Sequence, residues 1–356
     1  MATFFDLNPT TLRAACRELD MPGYVADQLL DWVYGKGVVD PAVMTNISKP
    51  HRELIASALP MYQSDILAHQ QASDGTQKLL LGWHQFTSGD LLAVAPSTRS
   101  TETVMIPTEK RRTACVSSQV GCPVGCHFCA SGMGGLVGNL RAGQIVEQAH
   151  RLSWLPGVGR LTNVVFMGMG EPLANYQAVT DAIRTLNAPW GLGIGARRIT
   201  ISTVGLPAAI RKLAQFELPV TLALSLHAPN DEIRRTLIPW AEYATIEEIL
   251  DACDEYFAKS GREITLEYLL LRGVNDRIEH AKELAGLAQR LRANINLIRY
   301  NEVRGLPYDR PTTEDVHAFQ QTLRDRHVNA HLRASRGRDI AAACGQLRRQ
   351  AAGARG

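Results

Sequence analysis

The sequence predicts an α/β protein in which repeated strand–helix units follow a small helical region and a β-hairpin. Apolar residues recur at helical spacing in the first 62 residues, and short alternating segments separated by turn residues occupy 63–107. Beyond 108, strand-like segments alternate with amphipathic segments of helix length. Such repeats imply a parallel sheet, either open or closed into a barrel, and the 356-residue length allows one large domain with a small one beside it.

The region 1–62 predicts three helices. Pro9 opens the first, and the second spans 25–34. The third has Pro50 in its first turn and a cap at Asn46 or Ser48.

Residues 63–107 predict a β-hairpin or meander that connects the helices to the strand–helix units. The strand-like segments are 78–81, 91–94 and 103–106. Glycines within 74–75 and 88–90 mark the turns between them.

The strand–helix region is 108–350, followed by a short tail at 351–356. Its candidate strands are 113–118, 163–167, 198–202, 220–227, 263–270, 295–299 and 330–334. The clearest amphipathic helices are 176–186, 246–256, 278–291 and 313–324. In sheets of this kind catalytic residues collect at the carboxyl ends of the strands, so we expect the site there.

Composition is typical of a soluble globular protein, with 45% hydrophobic and 21% charged residues. No apolar run approaches the roughly 18 residues of a membrane span, and the N-terminus lacks a signal-peptide pattern, so we expect a cytoplasmic protein that does not bind membranes. The net charge is +3, but 331–356 contains six arginines and one aspartate. This basic end is either a solvated surface or a contact for an anionic partner such as nucleic acid.

Cysteine spacing gives the clearest chemical signal. Cys122, Cys126 and Cys129 form a C-x3-C-x2-C motif directly after a candidate strand. A structural zinc site usually needs four ligands, and His127 is poorly placed between two of the cysteines. A redox pair would leave Cys122 unexplained. The spacing therefore favours an iron–sulfur cluster with one iron left open for a cofactor or substrate.

With Phe128 before its third cysteine, the motif resembles the cluster loop of the radical S-adenosylmethionine (radical SAM) enzymes. In that superfamily a [4Fe-4S] cluster binds S-adenosylmethionine through its open iron and donates an electron that yields a 5′-deoxyadenosyl radical. The resemblance implies a partial barrel of six strand–helix units, in agreement with the alternation of segments. It also implies a reduced flavodoxin- or ferredoxin-type electron donor.

Further polar residues at strand ends resemble the cofactor-binding positions of the superfamily. The segment 168–172, Gly-Met-Gly-Glu-Pro, is similar to the element that holds the amino group of the methionine moiety. The resemblance assigns cofactor binding to Gly170, Glu171, Ser202, Ser225, Leu226, His227 and Asn301. Without it, polar residues at such positions are more often helix caps or turn residues.

The C-terminal segment 335–347 resembles the end of the RlmN/Cfr family of RNA adenosine methyltransferases. Matching segments at 27–32, 44–49, 115–122 and 225–231 extend the resemblance over nearly the whole chain. It implies that the N-terminal helices help to recognise folded RNA and that the enzyme is a monomer.

The family resemblance implies that a cysteine carries the methyl group to the base. Cys344 matches the residue that receives a methyl group from one S-adenosylmethionine, after which a second molecule generates the radical that activates the S-methyl group. Glu102, in the hairpin region, matches the proton acceptor, and Cys115 matches the thiol that forms a transient disulfide with Cys344. By residue type alone, Cys344 and Cys115 would be packing residues, and the roles of Glu102 and Cys115 stay open.

We therefore predict methylation of C2 of an adenosine in 23S ribosomal RNA, with transfer RNA as a further substrate. One alternative is methylation of C8 of the same adenosine, the branch that confers antibiotic resistance, and another is a non-enzymatic zinc or RNA-binding module. The chain departs from the family pattern at Leu136, where an aromatic residue is more usual, at Gly138, where arginine is, and around Asn301, where prolines are. These departures bear on the choice of substrate.

Overall fold

A computed structural model describes residues 3–84 and 99–347, which form one large mixed sheet with helices between its strands. In the described part the strands are β1 (Ser64–Gln71), β2 (Gln77–Trp83), β3 (Ser100–Pro107), β4 (Arg112–Cys115), β5 (Gln119–Gly121), β6 (Leu136–Asn139), β7 (Asn163–Phe166), β8 (Ile199–Thr203), β9 (Thr221–Ser225), β10 (Thr265–Leu270), β11 (Asn294–Arg299) and β12 (Ala330–Arg333). The α-helices are α1 (Pro9–Glu18), α2 (Tyr24–Leu30), α3 (Lys49–Ala58), α4 (Ala142–Ser153), α5 (Tyr176–Asn187), α6 (Pro207–Leu213), α7 (Asp231–Leu237), α8 (Ile246–Ser260), α9 (Ile278–Leu291) and α10 (Thr313–Arg324). Of these helices, none has the length and apolar character needed to cross a membrane.

Seven neighbouring strands of the sheet run parallel. β4 pairs with β7, and parallel pairing continues in order through β8, β9, β10 and β11 to β12. A helix follows each of the first six before the chain enters the next strand, which gives six strand–helix units ending in β12. The predicted α/β fold is confirmed. As described, the sheet runs from an edge at β1 to an edge at β12, as an incomplete barrel would.

The predicted hairpin region belongs to the same sheet. β1, β2 and β3 pair antiparallel in order, and β3 pairs antiparallel with β4. The predicted strands at 78–81 and 103–106 lie within β2 and β3. The predicted strand at 91–94 and the predicted turn at 88–90 fall outside the described residues. Because β3 borders β4, Glu102 lies on the strand next to the one that carries Cys115.

The three predicted N-terminal helices are present. The side chain of Asn8 caps α1, which begins at Pro9 as predicted. The predicted helix at 25–34 divides into α2 and a π-helical turn at Asp31–Gly35, and α3 follows Ser48. The predicted helix therefore continues to Gly35, but its last part is π-helical.

Buried polar contacts fix the N-terminal helices to α4. The carboxylate of Glu147 accepts a hydrogen bond from the backbone N–H of Gln63 at 2.8 Å. His150 lies between the hydroxyl of Tyr62 and the carbonyl oxygen of Val33, each at 2.9 Å. Burial lowers the pKa of His150 to about 4, so its neutral ring accepts from Tyr62 and donates to Val33. These contacts hold the helical region in one orientation against the sheet.

Candidate active site

The three cysteines of the C-x3-C-x2-C motif lie on the loop between β5 and β6. The two strands pair antiparallel and so close the loop at its base. Gly121 ends β5 with a φ of +77°, and a Cβ there would lie 1.9 Å from the carbonyl oxygen of Gly135. Only glycine fits this close approach. The same carbonyl accepts a hydrogen bond from the N–H of Cys122 at 3.2 Å, which fixes the first cysteine at the start of the loop.

The side chains of Cys122, Cys126 and Cys129 line one cavity. Burial raises the pKa of Cys122 to about 12 and raises that of the other two thiols, while the guanidinium of Arg234 acts in the opposite direction on Cys126. In the described residues, no three His, Cys, Asp or Glu side chains are grouped for a single metal ion. Three soft sulfur donors on one cavity wall suit the irons of an iron–sulfur cluster, because binding iron removes the proton of a coordinating thiol.

Glu171 brings a buried carboxylate to the wall of the same cavity. Its Oε1 accepts hydrogen bonds from the N–H of Leu173 at 3.0 Å and the hydroxyl of Thr203 at 2.8 Å, and its Oε2 accepts from the N–H of Val204 at 2.8 Å. Burial raises the pKa of Glu171 to about 7 although these hydrogen bonds favour the charged form. One lone-pair position remains on Oε2, so the carboxylate can still accept from a cationic ligand.

The glycine turn before Glu171 packs closely on the start of β5. Gly170 has a φ of +107°, and a Cβ there would lie 2.7 Å from the side chains of Ser118 and Gln119. The side chain of Gln119 also accepts a hydrogen bond from the N–H of Glu171 at 2.8 Å. The turn thus presents backbone rather than side chain to the cavity.

Strand-end residues of β8 and β9 complete this wall as the sequence predicts. The hydroxyls of Ser202 and Ser225 are 3.1 Å apart, and both side chains line the cavity. His227 follows with a φ of +57°, its ring edge-to-face with Phe128 at 5.1 Å, and it accepts a hydrogen bond from the N–H of Leu269. Burial lowers the pKa of His227 to about 3, so its ring is neutral. The structure does not bring Leu226 to this wall: the residue is fully buried in the hydrophobic core and is not among those that line the cavity.

The C-terminal segment lies directly on the cysteine loop. The N–H of Ala130 donates to the carbonyl oxygen of Gly345 at 2.9 Å, and the hydroxyl of Ser131 donates to that of Leu347 at 2.6 Å. Cys344 is exposed as a residue, but its thiol lines the same cavity as the three motif cysteines, where the surrounding protein raises the pKa of the sulfur. The segment therefore brings the predicted methyl carrier to the wall that the cluster cysteines share.

Asn301 contacts the Cys344 segment and lines a second, smaller cavity. Its side-chain N–H donates to the carbonyl oxygen of Cys344 at 3.2 Å, and its Oδ1 accepts from Arg310 at 3.3 Å. Cys344 and Arg333 line both cavities, so the two spaces meet at these side chains.

Cys115 is buried on β4 and packs with Ala342 and Leu347 of the C-terminal segment. Burial raises its pKa to about 12, with a further rise from the neighbouring Cys344 and a lowering by Arg333. All seven cysteines of the chain are described and all are free thiols, so the predicted disulfide between Cys115 and Cys344 is absent from this structure.

Two cavity residues were not predicted from the sequence. Glu267 on β10 is 2% exposed, accepts a hydrogen bond from Asn296 at 3.0 Å and lies 3.9 Å from the guanidinium of Arg333. Burial raises the pKa of Cys344, and the charge of Arg333 lowers it by a smaller amount. Arg333 appeared in the sequence only as part of the basic end, although its position at the end of a candidate strand was a usable signal.

Glu102 is 1% exposed on β3 and lies outside the lining of both described cavities. Its Oε1 is 2.8 Å from the ammonium group of Lys78 on β2, which is 4% exposed. The sequence identified Glu102 through the resemblance but gave no role to Lys78. The available signal was that Lys78 falls at a position of a predicted strand where the alternation of residues predicts a buried side chain.

The remaining basic residues and the departures at Leu136 and Gly138 lie at the surface or outside the described residues, whereas the departure around Asn301 lies at the smaller cavity. Arg336 is 4.0 Å from Asp74, whereas 348–356 falls outside the described residues. Leu136 is exposed on β6, and Gly138 pairs with Val120 on β5. Both departures therefore lie on the strand that closes the cysteine loop.

Two family descriptions match separate parts of the chain. Residues 116–285 match the radical SAM superfamily, and residues 3–59 match the N-terminal domain of ribosomal RNA large subunit methyltransferases. The first range contains the cysteine motif and the second contains the N-terminal helices.

Individual relatives cover nearly the whole chain. It is similar to the probable dual-specificity RNA methyltransferase RlmN of Gloeobacter violaceus, with 43% identity over 95% of this chain and 93% of the relative. The protein of the same name from Acaryochloris marina is 45% identical over 92% of this chain and 89% of its own length. Among solved structures, a radical SAM methyltransferase from Sphaerobacter thermophilus has a TM-score of 0.90 and 41% identity, and the match covers 98% of this chain and 100% of that one.

Proposed function

Because the chain belongs to the RlmN family of radical SAM RNA methyltransferases, we propose that it methylates C2 of an adenosine in 23S ribosomal RNA and in transfer RNA. The names of the relatives, which describe dual-specificity RNA methyltransferases, support two kinds of RNA substrate. One observation carries the chemical part of the proposal: Cys344 lies in the wall of the cavity that Glu171 and the three motif cysteines also line.

The cavity walls fit the cofactors that this chemistry needs. Cys122, Cys126 and Cys129 would hold the cluster, and the backbone at Gly170 with the carboxylate of Glu171 would hold the methionine moiety of S-adenosylmethionine. Ser202, Ser225, Leu226, His227 and Asn301 would bind the remainder of that cofactor. When bound, the cluster and S-adenosylmethionine supply the methyl group and the hydrogen-abstracting radical.

Cys344 acts first as a nucleophile. Its sulfur must lose a proton before it can accept a methyl group, because the thiolate is the attacking form. Burial raises the pKa of Cys344, and the charge of Arg333 lowers it. Arg333 therefore favours the form of Cys344 that accepts the methyl group.

Glu102 and Cys115 then release the product. The carboxylate of Glu102 accepts the proton that leaves the ring carbon of adenine. Cys115 attacks the sulfur of Cys344 as a thiolate, so that an S–S bond forms as the bond from that sulfur to the product carbon breaks. The carbon leaves with the electron pair of that bond and takes up a proton, which completes the methyl group. Cys115 packs against the Cys344 segment, which supports this pairing.

The N-terminal helices would bind the RNA. Exposed cations such as Arg17, Lys36 and Lys49 can contact phosphates through screened electrostatic attraction. The target base must leave its stack to reach a cavity at the strand ends. The hydrogen bond from His150 of α4 to the carbonyl oxygen of Val33 fixes these helices against the sheet, which supports recognition of a folded RNA of one shape.

Mass spectrometry of nucleosides tests the proposal. In a strain from which the gene is deleted, 2-methyladenosine should disappear from 23S ribosomal RNA and transfer RNA, and nuclease mapping should locate the lost groups. The wild-type gene and the packing variant Cys253→Ala should restore the modification, whereas Cys344→Ala should not. Loss of 8-methyladenosine instead would identify the C8 branch, and unchanged 2-methyladenosine would contradict the proposal.

A second experiment tests the role of Cys115. The variant Cys115→Ala should accumulate enzyme bound covalently to RNA, visible as a slow band on a denaturing gel that ribonuclease removes. A Cys115→Ala enzyme that turns over normally and shows no such band would refute a role in product release.

A further inference from the structure

Lys78 is a buried cation for which the mechanism above has no role. Its side chain on β2 is 4% exposed, and lysine is almost never fully buried unless it is paired. The ammonium group lies 2.8 Å from Oε1 of Glu102 and donates to the carbonyl oxygen of Ala341 at 3.2 Å. One cation therefore contacts both the proposed proton acceptor and the segment that leads to Cys344.

The segment contacted by Lys78 is held by the β1–β2 turn as well. The N–H of Gly337 donates to the carboxylate of Asp74 at 3.0 Å, and the N–H of Ser73 donates to that of Asp339 at 2.9 Å. Ala341 follows with a φ of +49°, a conformation that a residue other than glycine adopts only when its surroundings hold it there. The hairpin thus fixes the chain just before Cys344 at three points.

The charge of Lys78 has a direct consequence for Glu102. A carboxylate that is 1% exposed is costly to keep charged unless a cation lies nearby, and only the charged form can accept the proton of the adenine ring. The ammonium group of Lys78 supplies the compensating charge. Leu80 of β2 is paired with Glu102 of β3, and Lys78 lies two residues before Leu80, so its side chain is on the same face of the sheet as Glu102.

We propose that Lys78 is a positioning residue for methyl transfer, which holds Glu102 as a carboxylate and joins it to the segment that presents Cys344. This inference rests on the proposed function. In the step concerned, the ring C–H bond breaks, its proton passes to a carboxylate oxygen of Glu102, and its electron pair stays in the ring. The unpaired electron of the adduct would return to the cluster that supplied it. Cys344 remains bonded to the base carbon until Cys115 displaces it.

The test separates the steps before and after attachment to RNA in the cluster-loaded enzyme. Lys78→Met keeps the length of the side chain but removes its charge, and Lys259→Met changes an exposed lysine on α8 as the matched control. Lys78→Met should still methylate Cys344 within about twofold of wild type, measured by protein mass. Its RNA product should fall about 100-fold, the loss typical of a removed general base, and ribonuclease-sensitive adduct should accumulate as in Glu102→Gln.

Two further variants keep the result decisive if Lys78→Met folds poorly. Lys78→Arg retains a cation and should recover at least a tenth of the wild-type rate. The double variant Lys78→Met/Glu102→Gln removes both buried charges, so it should fold and should be no slower than Glu102→Gln alone.

Three outcomes overturn the role of Lys78. They are turnover of Lys78→Met within about twofold of wild type, loss of Cys344 methylation in parallel with RNA methylation, and additive losses in the double variant. A wild-type enzyme that makes no methylated adenosine would overturn the proposed function and this inference together, whereas an active wild type with any of those three outcomes overturns only the inference.

Discussion

The buried carboxyl group of Glu171 should make the stability of the protein depend on pH in a direction opposite to that of most acids. Burial raises its pKa from 4.5 to about 7 in the folded protein. Between these values the folded chain binds more protons than the unfolded chain, so the free energy of unfolding falls as the pH rises through this window. The difference between the two pKa values lowers the free energy of unfolding by about 3 kcal/mol at pH above 7, because one pKa unit corresponds to about 1.4 kcal/mol.

Urea unfolding of Glu171→Gln and wild-type protein, both free of the cluster, measures this effect. Gln cannot titrate, but its amide N–H₂ cannot accept from the N–H of Val204, which costs about 1–3 kcal/mol. The variant should therefore be the less stable protein near pH 5, and by about pH 8 the difference should shift by roughly 2–3 kcal/mol in its favour. The exposed control Glu18→Gln should show a constant difference from wild type. If the difference for Glu171→Gln is also constant over this range, the raised pKa is refuted.

Three other substitutions have distinct expected results. Arg333→Gln removes the charge that lowers the pKa of Cys344, so methylation of that thiol, followed by mass spectrometry, should slow several-fold near pH 7 and recover as the pH rises. Equal rates at neutral pH would contradict this. Gly121→Ala places a methyl group 1.9 Å from the carbonyl oxygen of Gly135, so anaerobic reconstitution should load little of the about four irons that wild type binds. A full iron content would show that the loop does not need this close approach. Cys253→Ala removes a fully buried thiol on α8 and should lower the free energy of unfolding in urea by about 1–2 kcal/mol. RNA methylation per folded enzyme should stay unchanged, and its loss in folded protein would give Cys253 a further role.

Periodicity located most of the parallel strands to within two residues, because each strand carries a run of buried aliphatic residues between polar turns. The predicted strand at 220–227 continues two residues past the observed one, since β9 ends at Ser225. His227 adopts a φ of +57°, far from the extended conformation of a strand, and the side chain of Asn275 donates to its carbonyl oxygen at 2.8 Å. This turn depends on contacts from β10 and the loop after it, which the local sequence does not contain.

Charge counting placed Arg333 in the wrong environment. The sum over 331–356 treats every arginine as part of one basic end, whereas parallel pairing of β12 with β11 brings Arg333 to the cavity beside Glu267. The resemblance could assign the cysteines and predict cofactor-binding positions because most of these residues lie in short motifs. It could not identify Lys78 or Glu267, because each contributes through a partner on another strand.

The structure also gives a reason to separate the roles of Glu102 and Cys115, which the sequence leaves open. They lie on adjacent strands, where the hydroxyl of Thr103 donates to the carbonyl oxygen of Cys115 at 2.8 Å. Yet the carboxylate faces the ammonium group of Lys78, whereas burial raises the pKa of the Cys115 thiol and Arg333, the cation that acts on Cys344 too, opposes that rise. The charge of Arg333 acts on both sulfurs, so it favours the thiolate that attacks Cys344. The carboxylate of Glu102 must keep its charge to accept a proton, and the cation beside it is Lys78. Loss of Lys78 should therefore impair proton removal and loss of Arg333 the reactions of the thiols, because each buried anion depends on the nearest cation.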